Sequence, residues 1–401
     1  MYDIEKFYEA KSAEDAVAHL AADPNAMVIS GGTDVLVKLR SGKGAGCDLV
    51  SVHEIPELRG VDRTLDGTIV IGPATCFTDI TNDPVIRESL PYLGEAVDTV
   101  GGPQIRNMGT IGGNLCNGAT SADSAATMQT LNAVLVLQGP DGSREVPVTE
   151  FYTGPGRTVR RREEVLIAIL IRPEDYIGWS GCYIKYGKRK SMEIATLGCC
   201  VRVKLEADPE GETFAEAASG KAISAEAASA EGTIKRLPGA GFILGDVRIG
   251  YAVAAPTPIR CRNTENLLKG MRADDPKIYE LIAEQVLKEV SPRNSWRASL
   301  DFRIQLIKEM AKRALEQAIL RGTGHGTPGA SYFAPVELDE LGEAGGQVWQ
   351  AEHPGEKEMP VYEKDGEILD GETDELIEKG DAESGGNCNS AKPDVEKGGD
   401  Q

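Results

Sequence analysis

Val28-Ile29-Ser30-Gly31-Gly32-Thr33-Asp34-Val35 and Thr110-Ile111-Gly112-Gly113-Asn114 are the segments of this chain whose residue types and spacing suit chemistry. Glycine has no Cβ, so the backbone there can approach a bound anion closely. Successive exposed N–H groups then form a concave nest for phosphate oxygens. Each segment sets a hydroxyl or amide residue beside its glycines, and about 80 residues separate the two. Neither has the lysine of a Walker loop or the spacing of a Rossmann fingerprint. Taken singly, either could be an ordinary β-turn. Taken together, they predict a ligand with two phosphates gripped from two sides.

Little else in the chain competes for a chemical role. His19, His53, His325 and His353 are isolated, and no Ser–His–Asp set or acid–base carboxylate pair stands out. Cysteines at 47, 76, 116, 182, 199, 200, 261 and 388 include no C-x-x-C pair, so neither a metal nor an iron–sulfur site is expected here. They read as small buried residues of a reducing cytoplasm. Cys199 and Cys200 are adjacent in a predicted strand, where neighbouring side chains point to opposite faces.

The elements that must position the two glycine segments read as α/β. Residues 1–55 give strand, helix, turn, helix and strand, with Ser12 as a helix N-cap. Residues 60–175 form a second α/β segment, with strands at 68–71, 133–137 and 165–171 and helical stretches at 84–93 and 96–100. Between Gly101 and Gly118 stand six glycines, a density that argues against regular structure and for backbone wrapped around something. Strands return at 182–186, 197–205 and 246–254. Residues 207–241, rich in Ala, Glu, Ser and Gly, read as an inserted surface segment. Helices at 279–290 and 302–320 follow, on i, i+3, i+4 spacing.

Length and charge bound the rest. At ~100–200 residues per domain, 401 residues allow two or three domains. The formal net charge is −20, of which residues 323–401 hold −15. The body is thus nearly balanced, and no basic stripe for nucleic acid is present. The acidic tail from 322 onward lacks periodicity and is expected to be disordered, with partner docking through 332–341 or 347–350 as the alternative. No membrane span and no secretory signal are expected, which suits a cytoplasmic protein.

The ordered strings Gly31-Gly32-Thr33-Asp34, Gly102-Pro103-Gln104-Ile105-Arg106-Asn107, Thr110-Ile111-Gly112-Gly113-Asn114, Ala122-Asp123, Ala254-Ala255-Pro256-Thr257-Pro258-Ile259-Arg260-Cys261 and Ser295-Trp296-Arg297 resemble the FAD-binding subunits of the molybdenum hydroxylases. The likeness is greatest to the bacterial xanthine dehydrogenase branch. It spans about residues 1–320, apart from 207–241.

The resemblance implies an α+β fold. A two-lobed FAD-binding domain of the vanillyl-alcohol oxidase type would occupy 1–57 and 58–176. A C-terminal domain at 180–321 would hold a three-stranded antiparallel sheet with helices. It implies FAD as cofactor, bound by 28–35 and 110–114, with Asp123, Lys185 and Leu166 (or Ile167) as further contacts. Val100 would stand beside the isoalloxazine ring, where animal relatives carry phenylalanine. Before any resemblance, Asp123 also reads as a helix N-cap, and Lys185 as a solvent-facing strand lysine. Gln104, Arg106 and Asn107 would brace the loop or face the iron–sulfur partner.

The resemblance further implies partner subunits, one with molybdopterin and one with [2Fe–2S] clusters, whose electrons this flavin passes to an acceptor, NAD⁺. No nucleotide fingerprint separates NAD⁺ from ferredoxin or quinone. Flavin subunits of aldehyde, nicotinate or carbon monoxide dehydrogenases, and a flavin-free assembly subunit, are the alternatives.

Overall fold

The computed structural model describes residues 3–209, 239–324, 361–362 and 368–369. Residues 3–51 give β1 (Ile4–Glu9), α1 (Ala13–Ala22), β2 (Met27–Ile29), α2 (Val35–Arg40) and β3 (Cys47–Ser51), a parallel sheet in the order β1-β3-β2. Parallel neighbours need a crossover, and the helices supply it. Ser12 does cap α1: its hydroxyl accepts from the Asp15 N–H at 3.2 Å. Ala16, Val17 and Leu20 turn the apolar stripe of α1 inward.

The second sheet is antiparallel and five-stranded. It combines β4 (Val61–Arg63), β5 (Ile69–Ile71), β6 (Val134–Gly139), β7 (Gly142–Pro147) and, after the short hairpin β8 (Tyr152–Gly154) and β9 (Arg157–Thr158), β10 (Val165–Ile171), in the order β4-β5-β10-β6-β7. Six helices connect β5 to β6: α3 (Phe77–Asn82), α4 (Pro84–Ser89), α5 (Pro91–Asp98), α6 (Pro103–Met108), α7 (Ile111–Cys116) and α8 (Asp123–Thr130). Pro91 divides the single helix expected at 84–93, since proline starts a helix but cannot continue one. The glycine-dense stretch differs from expectation. It holds α6 and α7, because Gly102 and Gly109 stand at the ends of α6 while Pro103 opens it.

The third sheet is antiparallel: β11 (Trp179–Tyr186), β12 (Leu197–Ala207), β13 (Phe242–Ala252) and a two-residue edge strand β14 (Ile259–Arg260). The helix Leu300–Gly322 packs on β11 and β12 from one side, while α8 packs on β12 and β13 from the other. The alternation of β12 explains this double burial. Cys200 belongs to the core of the second sheet, and Cys199 to the core beneath the C-terminal helices. The two thiols face opposite ways, as strand geometry demands. Burial pushes both above the ordinary thiol range.

Most of 207–241 and of the acidic tail lies outside the described residues. Within the tail, β15 (Val361–Tyr362) pairs antiparallel with β16 (Ile368–Leu369).

Candidate functional site

β2 ends at Ile29 and the chain turns through Ser30–Asp34 into α2. Gly32 sits at φ +72°, in the left-handed region that glycine alone enters without strain. Gly31 lies so close to the turn after α6 that a Cβ built on it would stand 1.6 Å from the Met108 carbonyl oxygen. The first glycine loop is therefore pressed against the start of the second. Thr110 Oγ1 donates to Ser30 Oγ at 3.2 Å and ties them side by side. Among the described residues, no acceptor pairs with the N–H groups of Gly31, Gly32, Thr33 or Asp34. Half-buried amides are nearly always paired, so those of Gly31, Gly32 and Thr33 await a ligand or water, while Asp34 is the exposed N-cap of α2.

The second loop departs from the symmetrical clasp. Its amides are already used: Ile111 N–H goes to Thr75 O (3.1 Å), Gly112 N–H to Pro73 O (2.9 Å) and Asn114 N–H to Thr110 O (3.0 Å). The Gly113 N–H makes a longer bond, 3.3 Å, to the capping hydroxyl of Thr110. A Cβ on Gly112 would lie 2.4 Å from Pro73 Cβ, so that glycine serves packing of α7 on the chain before it. A Cβ on Gly113 would meet only Thr110 Oγ1, at 3.0 Å. Gly113 thus keeps a flat wall on open space, and Asn114, whose Oδ1 accepts from Ser124 Oγ (2.7 Å), keeps its NH₂ as a donor. The second loop offers side chains and shape; the amide nest belongs to the first.

Both loops line one cavity of about 500 Å³, which suits a cofactor-sized ligand. Val28, Ser30, Gly31, Gly32, Thr33, Asp34, Val35, Val100, Thr110, Gly112, Gly113, Asn114, Asp123 and Leu166 all line it. Ile29, Ile111 and Lys185 do not. The two isoleucines are core residues beneath the loops, where alternation and helix phase turn them inward.

Lys185 has a different place from the direct contact expected of it. Its Nζ donates to Asp123 Oδ2 and to Thr99 O, both at 2.8 Å. Asp123 Oδ1 accepts from Tyr183 OH at 2.9 Å. Asp123 is no N-cap: Ala122 holds that position, and the carboxylate faces β11. Burial pushes the Asp123 carboxyl upward, while the Lys185 ammonium and the Tyr183 hydroxyl pull against it. An ion pair that donates and accepts on every side is the arrangement in which a buried carboxylate stays charged. Arg106, as the bracing reading expects, pairs with Asp98 (3.2 Å) and donates to the Val100 carbonyl (3.2 Å).

Several lining residues carried no sequence signal. Lys38, one turn into α2, reaches Asn117 Oδ1 at 2.5 Å across the two loops. Arg160, Arg162 and Glu164 stand where the chain enters β10. Arg162 donates to the carbonyls of Leu20 and Asp23, and Glu164 takes a two-pronged pair from Arg144 at 2.7 and 2.9 Å. The run Arg160-Arg161-Arg162 was the available clue. Met192 and Ile194, on the turn between β11 and β12, extend the apolar wall of Phe77, Val100 and Ile105. Among the described residues, no group of three or more His, Cys, Asp or Glu could hold a metal, and no helix is long and apolar enough to cross a membrane.

Comparison with known proteins identifies the family of the chain. Residues 2–173 match the family model of the FAD-binding domain in molybdopterin dehydrogenase, and 220–318 that of the CO dehydrogenase flavoprotein C-terminal domain. The xanthine dehydrogenase FAD-binding subunit of Escherichia coli O157:H7 is 35% identical over 326 residues, spanning 81% of this chain and 99% of that one. The carbon monoxide dehydrogenase medium chain of Hydrogenophaga pseudoflava is 29% identical over 317 residues, spanning 79% and 97%. A solved carbon monoxide dehydrogenase from the same organism superposes with a TM-score of 0.67 at 26% identity, covering 80% of this chain and 99% of that chain. With nest, cavity and relatives in agreement, the chain belongs to the FAD-binding subunits of the molybdenum hydroxylases and is the flavin-dependent part of an oxidoreductase.

Proposed function

We propose that the cavity between the two glycine loops and Asp123 is the FAD site, and that the chain works as the electron outlet of a xanthine dehydrogenase-like complex. In this reading a partner subunit with [2Fe–2S] clusters delivers electrons and a molybdopterin subunit takes the substrate. The acceptor is NAD⁺. The observation that carries the reading is the row of half-buried, unpartnered amides at Gly31, Gly32 and Thr33, beside a cavity that is also lined by the buried, paired Asp123.

The residues divide the work. The amides of Gly31, Gly32 and Thr33, with the Thr33 hydroxyl, meet a diphosphate. Asn114 adds a donor, and Gly113 leaves room for the ligand. Asp123 accepts from a ribityl or ribose hydroxyl, held in place by Lys185 and Tyr183. Val28, Leu166 and Val100 supply apolar walls. FAD, when bound, supplies the redox chemistry, linking a one-electron donor to a two-electron acceptor.

The test is to purify the chain with its partners, release the flavin and assay xanthine with NAD⁺. FAD near one per chain and NAD⁺ reduction are expected. A colourless chain that takes up no FAD overturns the site. A yellow complex that oxidises another substrate, or reduces only ferredoxin or quinone, overturns the finer assignment alone.

A further inference from the structure

Where the two loops touch, a row of polar groups runs away from the cavity into the protein. Gly113 N–H lies 3.3 Å from Thr110 Oγ1, Thr110 Oγ1 lies 3.2 Å from Ser30 Oγ, and Ser30 Oγ lies 3.4 Å from His53 Nδ1. Three links thus join α7, the first loop and the turn after β3. A hydroxyl carries one proton, so the row has a direction. With the proton of the neutral ring on Nε2, the nitrogen that faces the Glu54 carboxylate at 3.7 Å, Nδ1 is an acceptor. Ser30 then donates to His53, and Thr110 to Ser30. In that state both hydroxyl protons point away from the ligand space. A proton on Nδ1 turns the last link round. His53 becomes the donor, and the hydroxyl proton of Ser30, a residue that lines the cavity, is released toward it.

We propose that His53 is a positioning residue for the diphosphate of the bound dinucleotide. Its protonation frees the Ser30 hydroxyl as a donor and sets a positive charge behind the first loop. The inference rests on the FAD reading above. The charged groups facing the ring are Glu54 and Arg59, both from its own turn; Arg59 Nε donates to the His53 carbonyl (2.7 Å) and its NH₂ group to Glu54 (2.9 Å). β2 contributes the Ser30 hydroxyl. The start of α7 contributes Thr110, whose backbone bridges that of Cys76; burial pushes the Cys76 thiol up. Burial and Arg59 hold His53 below its ordinary value against the opposing pull of Glu54. The ring is therefore neutral at pH 7 and gains its proton on the acid side.

FAD affinity of the flavin-stripped full chain, read by quenching of flavin fluorescence between pH 8 and 5.5, tests this. The wild-type Kd should tighten about tenfold toward acid, the gain of one charge-assisted hydrogen bond, and that of His53→Gln should stay level. Reciprocity requires FAD to raise the pKa of His53 in turn, which imidazole proton NMR of the wild-type chain reads even if the variant does not fold. A level wild-type Kd, an equal slope in His53→Gln, or an imidazole titration unmoved by FAD overturns the inference and leaves the FAD site standing. A chain that binds no FAD at any pH overturns both.

Discussion

Gly113 and Gly31 look alike in the sequence and do opposite things. Gly113→Val crowds only the Thr110 hydroxyl, at 3.0 Å, so the variant should fold with a small drop in melting temperature while its FAD affinity falls at least tenfold by equilibrium titration. Gly31→Ala drives a Cβ into the Met108 carbonyl; its expected signature is a stability loss of ~1–3 kcal/mol or more in denaturant unfolding, before any effect on FAD. Asp123→Asn leaves the Lys185 ammonium buried against Thr99 O and without its carboxylate. Breaking a buried pair from one side costs ~3–5 kcal/mol. Adding Lys185→Met should restore much of that stability but none of the FAD binding, which separates the structural role from the ligand role. The two glycine loops were legible in the sequence because their residue types are unusual together; Asp123 came only from the family resemblance, since its own context reads as a helix N-cap and Ala122 holds that position. The spent amides of the second loop were not legible. The acceptors of Ile111 and Gly112, Thr75 and Pro73, lie about 40 residues upstream, and nothing local in the chain reveals that they are there.

At the scale of elements, the order of strands and long helices followed from periodicity, while the break at Pro91 within 84–93 did not. The glycine-dense stretch did not, since a count of glycines cannot tell a helix end from a loop. The entry to β10 illustrates what only packing shows. Glu164 is buried, yet the Arg144 fork and the Arg161 N–H (2.6 Å) outweigh burial, and its carboxyl lies below the ordinary value of 4.5. A depressed folded-state value contributes stability that is present above pH 4.5 and is lost as pH falls through the lower, folded value. Urea unfolding between pH 3.5 and 6 should therefore show a steeper acid limb in the wild-type chain than in Glu164→Gln. Equal limbs would remove Glu164 from the account.

At the scale of the whole molecule, the described residues that line the cavity fall between 26 and 194. Removal of residues 325–401 should consequently leave flavin stoichiometry at its full-length value, measured by absorbance of the released cofactor. The C-terminal sheet contributes to the site from behind, through Tyr183 and Lys185 of β11. The strand beside β11 carries adjacent cysteines that look into separate cores. Peeling the C-terminal half away would strip one wall from the flavin lobe at the same moment. Neither half can melt by itself, and calorimetry should record a single cooperative peak, with the yellow colour released within it and not ahead of it.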